Sequence, residues 1–105
     1  MGIGMQIVYF GFAGAAPIEA EAAVQLLRLE RFATSISGCH LAIEAMDDAR
    51  GRRYDARLDL ITRNNDLVPM PHFTNADPEA AVRAAFDCAE RALTNSRGDA
   101  AQLLH

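Results

Sequence analysis

Asp77-Pro78-Glu79-Ala80-Ala81-Val82-Arg83-Ala84-Ala85-Phe86-Asp87-Cys88-Ala89-Glu90-Arg91-Ala92-Leu93 is the stretch whose reading decides the fold. Asp77 suits a helix N-cap. Pro78 suits the first helical position, where a missing N–H costs nothing, and Glu79 sets negative charge beside the positive helix end. Val82, Ala85, Phe86, Ala89 and Leu93 recur at three- and four-residue spacing and form one apolar stripe. Gly98 marks the expected stop. An amphipathic helix of this kind needs a sheet or a second helix to cover its stripe, and the preceding residues supply both.

Working back from Asp77, Leu67 to Phe73 reads as a fourth strand that Pro69 and Pro71 would restrict to an edge or break. Asn64-Asn65-Asp66 is a turn. Tyr54 to Thr62 alternates Tyr54, Ala56, Leu58 and Leu60 against Asp55, Arg57 and Asp59, and Cys39 to Met46 alternates in the same way. The polar, glycine-containing Asp47–Arg52 connection between them makes an antiparallel hairpin. Upstream, Pro17 opens a helix expected over 17–34, with Ile18, Ala22, Leu26, Leu29 and Ala33 as its stripe and Gln25 and Phe32 flanking it. Met5 to Phe10 reads as a strand ended by Gly11. Residues 1–4 are expected to be a leader without structural role, 5–97 the single domain and 98–105 a C-terminal tail.

The order β-α-β-β-β-α implies a two-layer α+β domain: a four-stranded mixed sheet with both helices on one face. The first connection holds a helix, so the first two strands can run parallel through a right-handed crossover, while the short later connections give antiparallel pairs.

At 105 residues the chain has room for one core. No apolar run approaches the roughly 20 residues that span a bilayer, and the N-terminus lacks a secretory pattern. Cys39 and Cys88 form neither a disulfide framework nor a CxxC pair, which fits reduced thiols in a cytoplasmic protein without a membrane partner. All ten basic residues are Arg, and the formal charge is −4. Such a balance opposes nucleic-acid binding in general, and no DNA partner is expected, but a local basic patch can still bind RNA.

Enzymatic signatures are absent from the sequence. Cys39 and His40 are strand neighbours, so their side chains point to opposite faces and cannot pair for catalysis. His72 has no second ligand at metal spacing, and Asp47-Asp48 is explained by a polar hairpin turn. No P-loop, dinucleotide glycine pattern, HExxH or zinc-ligand set occurs. No catalytic residue, metal or cofactor is therefore expected.

Several of these segments together resemble the short ribosome hibernation-promoting factors, the protein Y-like (sigma-54 modulation) family. That family's last helix carries an Asp start, then Ala-Ala-Ile, then Asp-Lys-Leu-x-Arg-Gln-Leu. Here Asp77, Ala80-Ala81-Val82, Asp87-Cys88-Ala89, Arg91 and Leu93 occupy those places. Arg28-Leu29-Glu30-Arg31-Phe32 and Ile36 are similar to the end of its first helix, and Met5-Gln6-Ile7 with Gly11 to its opening. The resemblance covers about residues 5–97. It implies a non-enzymatic factor that binds small-subunit ribosomal RNA in the messenger and transfer RNA channel and silences translation under stress.

What the resemblance implies for RNA contact falls on Arg28, Arg31, Arg91 and Arg97, and Arg83 adds a cation on the same side of the last helix as Arg91. Arg50, Arg52 and Arg53 on the hairpin tip are auxiliary candidates. The departures are Cys88 and Gln25, where the family usually has Lys, and Asn95 and Ser96 in a normally basic tail. Over 78–97, three Arg balance three acids, and Arg83–Asp87 and Asp87–Arg91 have the four-residue spacing of helix-surface ion pairs. A second surface is apolar. Leu27 lies opposite Ile18 with Val24 beside it, and alternation sets Val8 and Phe10 on the sheet face away from Ile7, with Ala42, Met46 and Ile61. These residues are the candidates for a protein interface, including a homodimer.

Overall fold

The computed structural model describes residues 2–95. Its elements are β1 (Gly4–Phe10), α1 (Ala16–Leu29), β2 (Ile36–Asp48), β3 (Gly51–Thr62), β4 (Leu67–Val68), β5 (His72–Asn75) and α2 (Pro78–Asn95), with a 3-10 turn at Glu30–Phe32 after α1. The sheet order is β1-β2-β3-β4, with β5 also pairing β3. β1 and β2 are parallel across the α1 crossover, and the other pairs are antiparallel. This is the expected β-α-β-β-β-α architecture.

β1 starts earlier than expected. Ile3 is only 5% exposed, and its N–H donates to Glu30 Oε1 at 3.2 Å. Ile3 and Gly4 therefore belong to the fold, which corrects the expectation that residues 1–4 have no structural role. The apolar Ile3 side chain simply continues the inward side of the strand. Beyond Phe10 the chain reverses at two glycines in left-handed conformation. A Cβ on Gly11 (φ +81) would lie 2.8 Å from the Ala45 carbonyl oxygen, and one on Gly14 (φ +88) 2.5 Å from the Tyr9 ring.

α1 is shorter than the expected 17–34. After Leu29 the bonding tightens, with Ala33 N–H donating to Glu30 O at 3.1 Å and Ser35 N–H to Phe32 O at 2.8 Å. The tighter turn drives Phe32 and Ile36 into the core, where they are 2% and 0% exposed. Arg63, just past the end of the strand that runs to Thr62, donates Nε to the freed Ala33 carbonyl at 2.8 Å.

The β2–β3 hairpin pairs Asp48 with Gly51 at its tip and Ile36 with Thr62 at its base. Leu41, Ile43, Ala56 and Leu58 point inward and are fully buried. They meet Ile18, Ala22 and Leu29 of α1 and Ala81, Val82, Ala85, Phe86, Ala89 and Leu93 of α2 in one core. Gln25, expected at the edge of the α1 stripe, is buried, and Leu26 is only half-buried.

The proline-bearing segment forms in two pieces. β4 pairs at Leu60↔Val68, β5 at Arg57↔His72 and Tyr54↔Asn75, and Pro69-Met70-Pro71 bridges them. Across the break a side chain replaces the ladder: Met70 N–H donates to Asp59 Oδ1 at 2.9 Å. Asp59 lies on the outer face as alternation requires, yet this contact leaves it only 6% exposed. α2 begins as its sequence dictates, with Glu79 N–H donating to Asp77 Oδ1 at 3.0 Å.

Candidate nucleic-acid interface

α1 and α2 lie side by side over the sheet, and their outward polar residues meet along a seam. Arg28 reaches across it. Its Nη1 donates to Asp87 Oδ1 at 2.8 Å and to Gln25 Oε1 at 2.5 Å, and its Nη2 contacts Glu90. Hydrogen bonds to Glu90 first and Asp87 second raise the Arg28 pKa, outweighing the opposing effect of burial. Arg31 Nη2 lies 3.3 Å from both Glu90 Oε2 and Thr94 Oγ1, with its guanidinium carbon 4.6 Å over the Phe32 ring.

At the other end of the seam, Arg83 binds Glu21 at 3.0 Å and approaches Asp77 at 3.9 Å. Gln25 donates to Glu21 at 2.7 Å and so joins the two ends. Three of the five candidate arginines are therefore brought together, each matched by carboxylates of the other helix. The pairing differs from the one expected along α2. Asp87 turns to Arg28 and Arg83 to Glu21, because the facing helix presents a charge at shorter reach than the next turn does.

Arg91 is exposed and has no ion pair among the described residues. Arg97 lies outside the described residues. The hairpin-tip arginines pair locally, not with the seam. Arg52 is 3.4 Å from Asp47 and Arg53 3.8 Å from Asp48, while Arg50 donates its backbone N–H to Asp48 Oδ1 at 2.8 Å. Asp47 and Asp48 thus serve the turn and its flanking cations.

The open sheet face holds a second polar cluster that the sequence did not reveal. His72 Nδ1 is 2.6 Å from Asp55 Oδ2, Thr74 Oγ1 donates to Asp55 Oδ1 at 3.2 Å, and Arg57 Nη1 lies 3.4 Å from His72 Nε2. Arg57 Nε sits 3.1 Å from Asp59 Oδ2 but is misaligned for a hydrogen bond to it. A shallow cavity of about 220 Å³ lies beside the cluster, walled by Phe10, Ala42 and Glu44. The signal in the sequence was the outward placement of Asp55 and Arg57, but the partner at His72 depends on how β5 re-enters the sheet after the prolines. Nε2 of His72 faces a guanidinium, and the His72–Asp55 pair ties β5 to β3. Among the described residues, no three His, Cys, Asp or Glu side chains converge as metal ligands.

The apolar candidates are exposed as expected: Val8 44%, Phe10 52%, Val24 60% and Leu27 71%. They form two separate patches, as expected. Val8 and Phe10 lie on the open sheet face, while Val24 and Leu27 lie on the far side of α1. Leu67, 56% exposed, was not anticipated. Among the described residues no helix is long and apolar enough to cross a membrane.

A two-layer α+β domain with one open sheet face and a charged seam between two helices is thus the class this chain belongs to. Two solved structures share that architecture. A ribosomal subunit interface protein from Coxiella burnetii matches with a TM-score of 0.76 at 11% identity, over 92% of this chain and 100% of that one. The Protein Y N-terminal domain of Thermus thermophilus matches with a TM-score of 0.65 at 18% identity, over the same shares. At such identities the likeness establishes the fold. It is the fold that the resemblance to hibernation-promoting factors implies. No protein-family model and no curated protein sequence matches this chain.

Proposed function

We propose that this protein is a ribosome-associated stress factor of the hibernation-promoting type, acting in the cytoplasm without catalysis. It would bind small-subunit RNA through the α1–α2 seam and obstruct translation. The observation that carries this reading is the gathering of Arg28, Arg31 and Arg83 along one exposed seam, with Arg91 on α2 making no ion pair among the described residues, within a fold shared with a ribosomal subunit interface protein. Long cationic side chains on two helices suit recognition of RNA by shape and phosphate contact. Arg97 and the tip residues Arg50, Arg52 and Arg53 extend the same role.

A second reading is favoured by the carboxylates themselves. Glu21, Asp87 and Glu90 neutralise the seam, so a diverged member of the fold would bind ribosomes weakly and act through its apolar patches. Co-sedimentation with small subunits across a salt series separates the two. Saturable binding that weakens with salt and with Arg91→Glu supports the RNA role. No binding even at low salt sinks it.

A further inference from the structure

The two edges of the sheet are built differently. One edge, β4 and β5, is broken into pieces of two and four residues by Pro69 and Pro71, and its His72 is tied to Asp55. Short strands, prolines and inward-turned charges are the usual devices that stop an edge from pairing with another chain. The opposite edge, β1, has none of them. Its seven residues, Gly4-Met5-Gln6-Ile7-Val8-Tyr9-Phe10, contain no charge and no proline, and their register with β2 is unbroken. None of the seven is fully buried. Its outward N–H and C=O groups are a template for one more strand.

We propose that β1 pairs antiparallel with β1 of a second copy about a two-fold axis at Ile7, joining two sheets into one. This inference is independent of ribosome binding, which involves the α1–α2 seam. Self-complementarity points to a second copy as the occupant. Centring on Ile7 engages all seven residues and sets Phe10 opposite the partner copy's Gly4, Met5 opposite Tyr9, and Gln6 opposite Val8. A Cβ added to Gly4 would meet nothing within 4 Å, so open space lies where the Phe10 ring would settle. Aromatic cover of a strand glycine is a recognised stabilising cross-strand pair.

The helix layer agrees with this placement. Glu19 accepts a hydrogen bond from Tyr9 Oη at 3.2 Å, and Glu30 one from the Ile3 N–H. Glu19, Ala23, Leu26 and Glu30 share one helical stripe, so that stripe stands above β1. Ala23 and the half-buried Leu26 offer the neighbouring copy a small apolar surface between the acids. The interface is modest, which sets the affinity in the micromolar to millimolar range. Each copy carries a formal charge of −4, so association strengthens as salt screens the repulsion. RNA binding has the opposite salt response.

Sedimentation equilibrium over a concentration and salt series tests the proposal. The mass is expected to rise from 11.4 kDa towards twice that value, more readily at high salt. Val8→Lys and Phe10→Lys alter exposed side chains and should each weaken association about tenfold, with the circular dichroism unchanged. In a Cys88→Ser background, an equimolar mixture of Gln6→Cys and Val8→Cys proteins should cross-link as a heterodimer faster than either protein alone, since only that pair faces across the axis within disulfide reach. A mass fixed at the monomer value up to millimolar concentration overturns the proposal. So does a dimer indifferent to both Lys substitutions, or equal cross-linking of the single variants. Protection, in dilute monomer, of the β1 amides that point away from β2 also overturns it, because the chain's own residues would then cover the edge.

Discussion

Replacing Asp87 and Glu90 together by Asn and Gln should trade stability for RNA affinity. Both side chains face Arg28, and Glu90 also faces Arg31. The amides keep the shape and an acceptor oxygen, so what is lost is Coulombic attraction between helices. Side-chain exposures of 37% for Arg28, 46% for Asp87 and 24% for Glu90 put the network between a surface pair and a buried one. Exposed pairs contribute about 0.2–1 kcal/mol each, so roughly 1–2 kcal/mol is expected for the two carboxylates after solvent screening. In a domain of this size that lowers Tm by roughly 4–8 °C per kcal/mol.

The same change releases Arg28 and Arg31 and moves the formal charge up by two from −4. Each additional phosphate contact steepens the dependence of log K on log salt by about 0.7–0.9, so two contacts add roughly 1.4–1.8. Affinity at low salt should rise about tenfold, which is about 1.4 kcal/mol. Thermal melts followed by circular dichroism and salt-dependent co-sedimentation with small subunits read the two effects separately. A lowered Tm with unchanged affinity and salt slope would refute the reasoning, since freed seam arginines would then be meeting no phosphate.

Other consequences are local. Phe86→Ala empties a site 1% exposed at the centre of the core and should cost about 3–5 kcal/mol, measured by urea unfolding. Asp77→Ala removes the Oδ1 acceptor of the Glu79 N–H and should cost about 1 kcal/mol in the same assay. Gly11→Ala forces a Cβ to 2.8 Å from the Ala45 carbonyl at φ +81 and should destabilise by at least about 1–3 kcal/mol, and an unchanged Tm would contradict the described turn. Burial pushes the Cys39 thiol up to about 12, leaving it protonated at neutral pH, so a thiol reagent should titrate the half-exposed Cys88 in the native protein and Cys39 only after unfolding.

Much of the fold was legible because its determinants are local. Asp77-Pro78-Glu79 states where α2 begins in three consecutive residues, and the alternation of Tyr54, Ala56, Leu58 and Leu60 fixes which face of β3 is buried. The parts that escaped depend on partners distant in sequence. Nothing near Arg28 shows that it will bind residues 59 and 62 positions away. Helix spacing could propose only intrahelical pairs for Asp87, and packing supplied a nearer cation. His72 met Asp55 for a similar reason. Pro69 and Pro71 announced a break, but the distance the chain travels before rejoining β3 is set by the Met70–Asp59 hydrogen bond, which periodicity does not encode. Ile3 was missed because a strand edge carries too short an alternation to mark its own start.

The seam also bears on how an acidic chain could bind RNA in the proposed way. An unpaired cluster of Arg28, Arg31 and Arg83 would repel itself and strain the α1–α2 contact. Glu21, Asp87 and Glu90 relieve that repulsion and bind the helices together. Each carboxylate accepts charge-assisted bonds that a phosphate oxygen could equally accept, with the guanidiniums already held in place along the seam. Docking on RNA would then exchange one set of anions for another and need not order free side chains, which keeps its entropic cost low. Affinity for RNA under this arrangement would be governed by how far phosphates out-compete fixed carboxylates. On the proposed RNA role, the carboxylates, as much as the arginines, would determine binding strength.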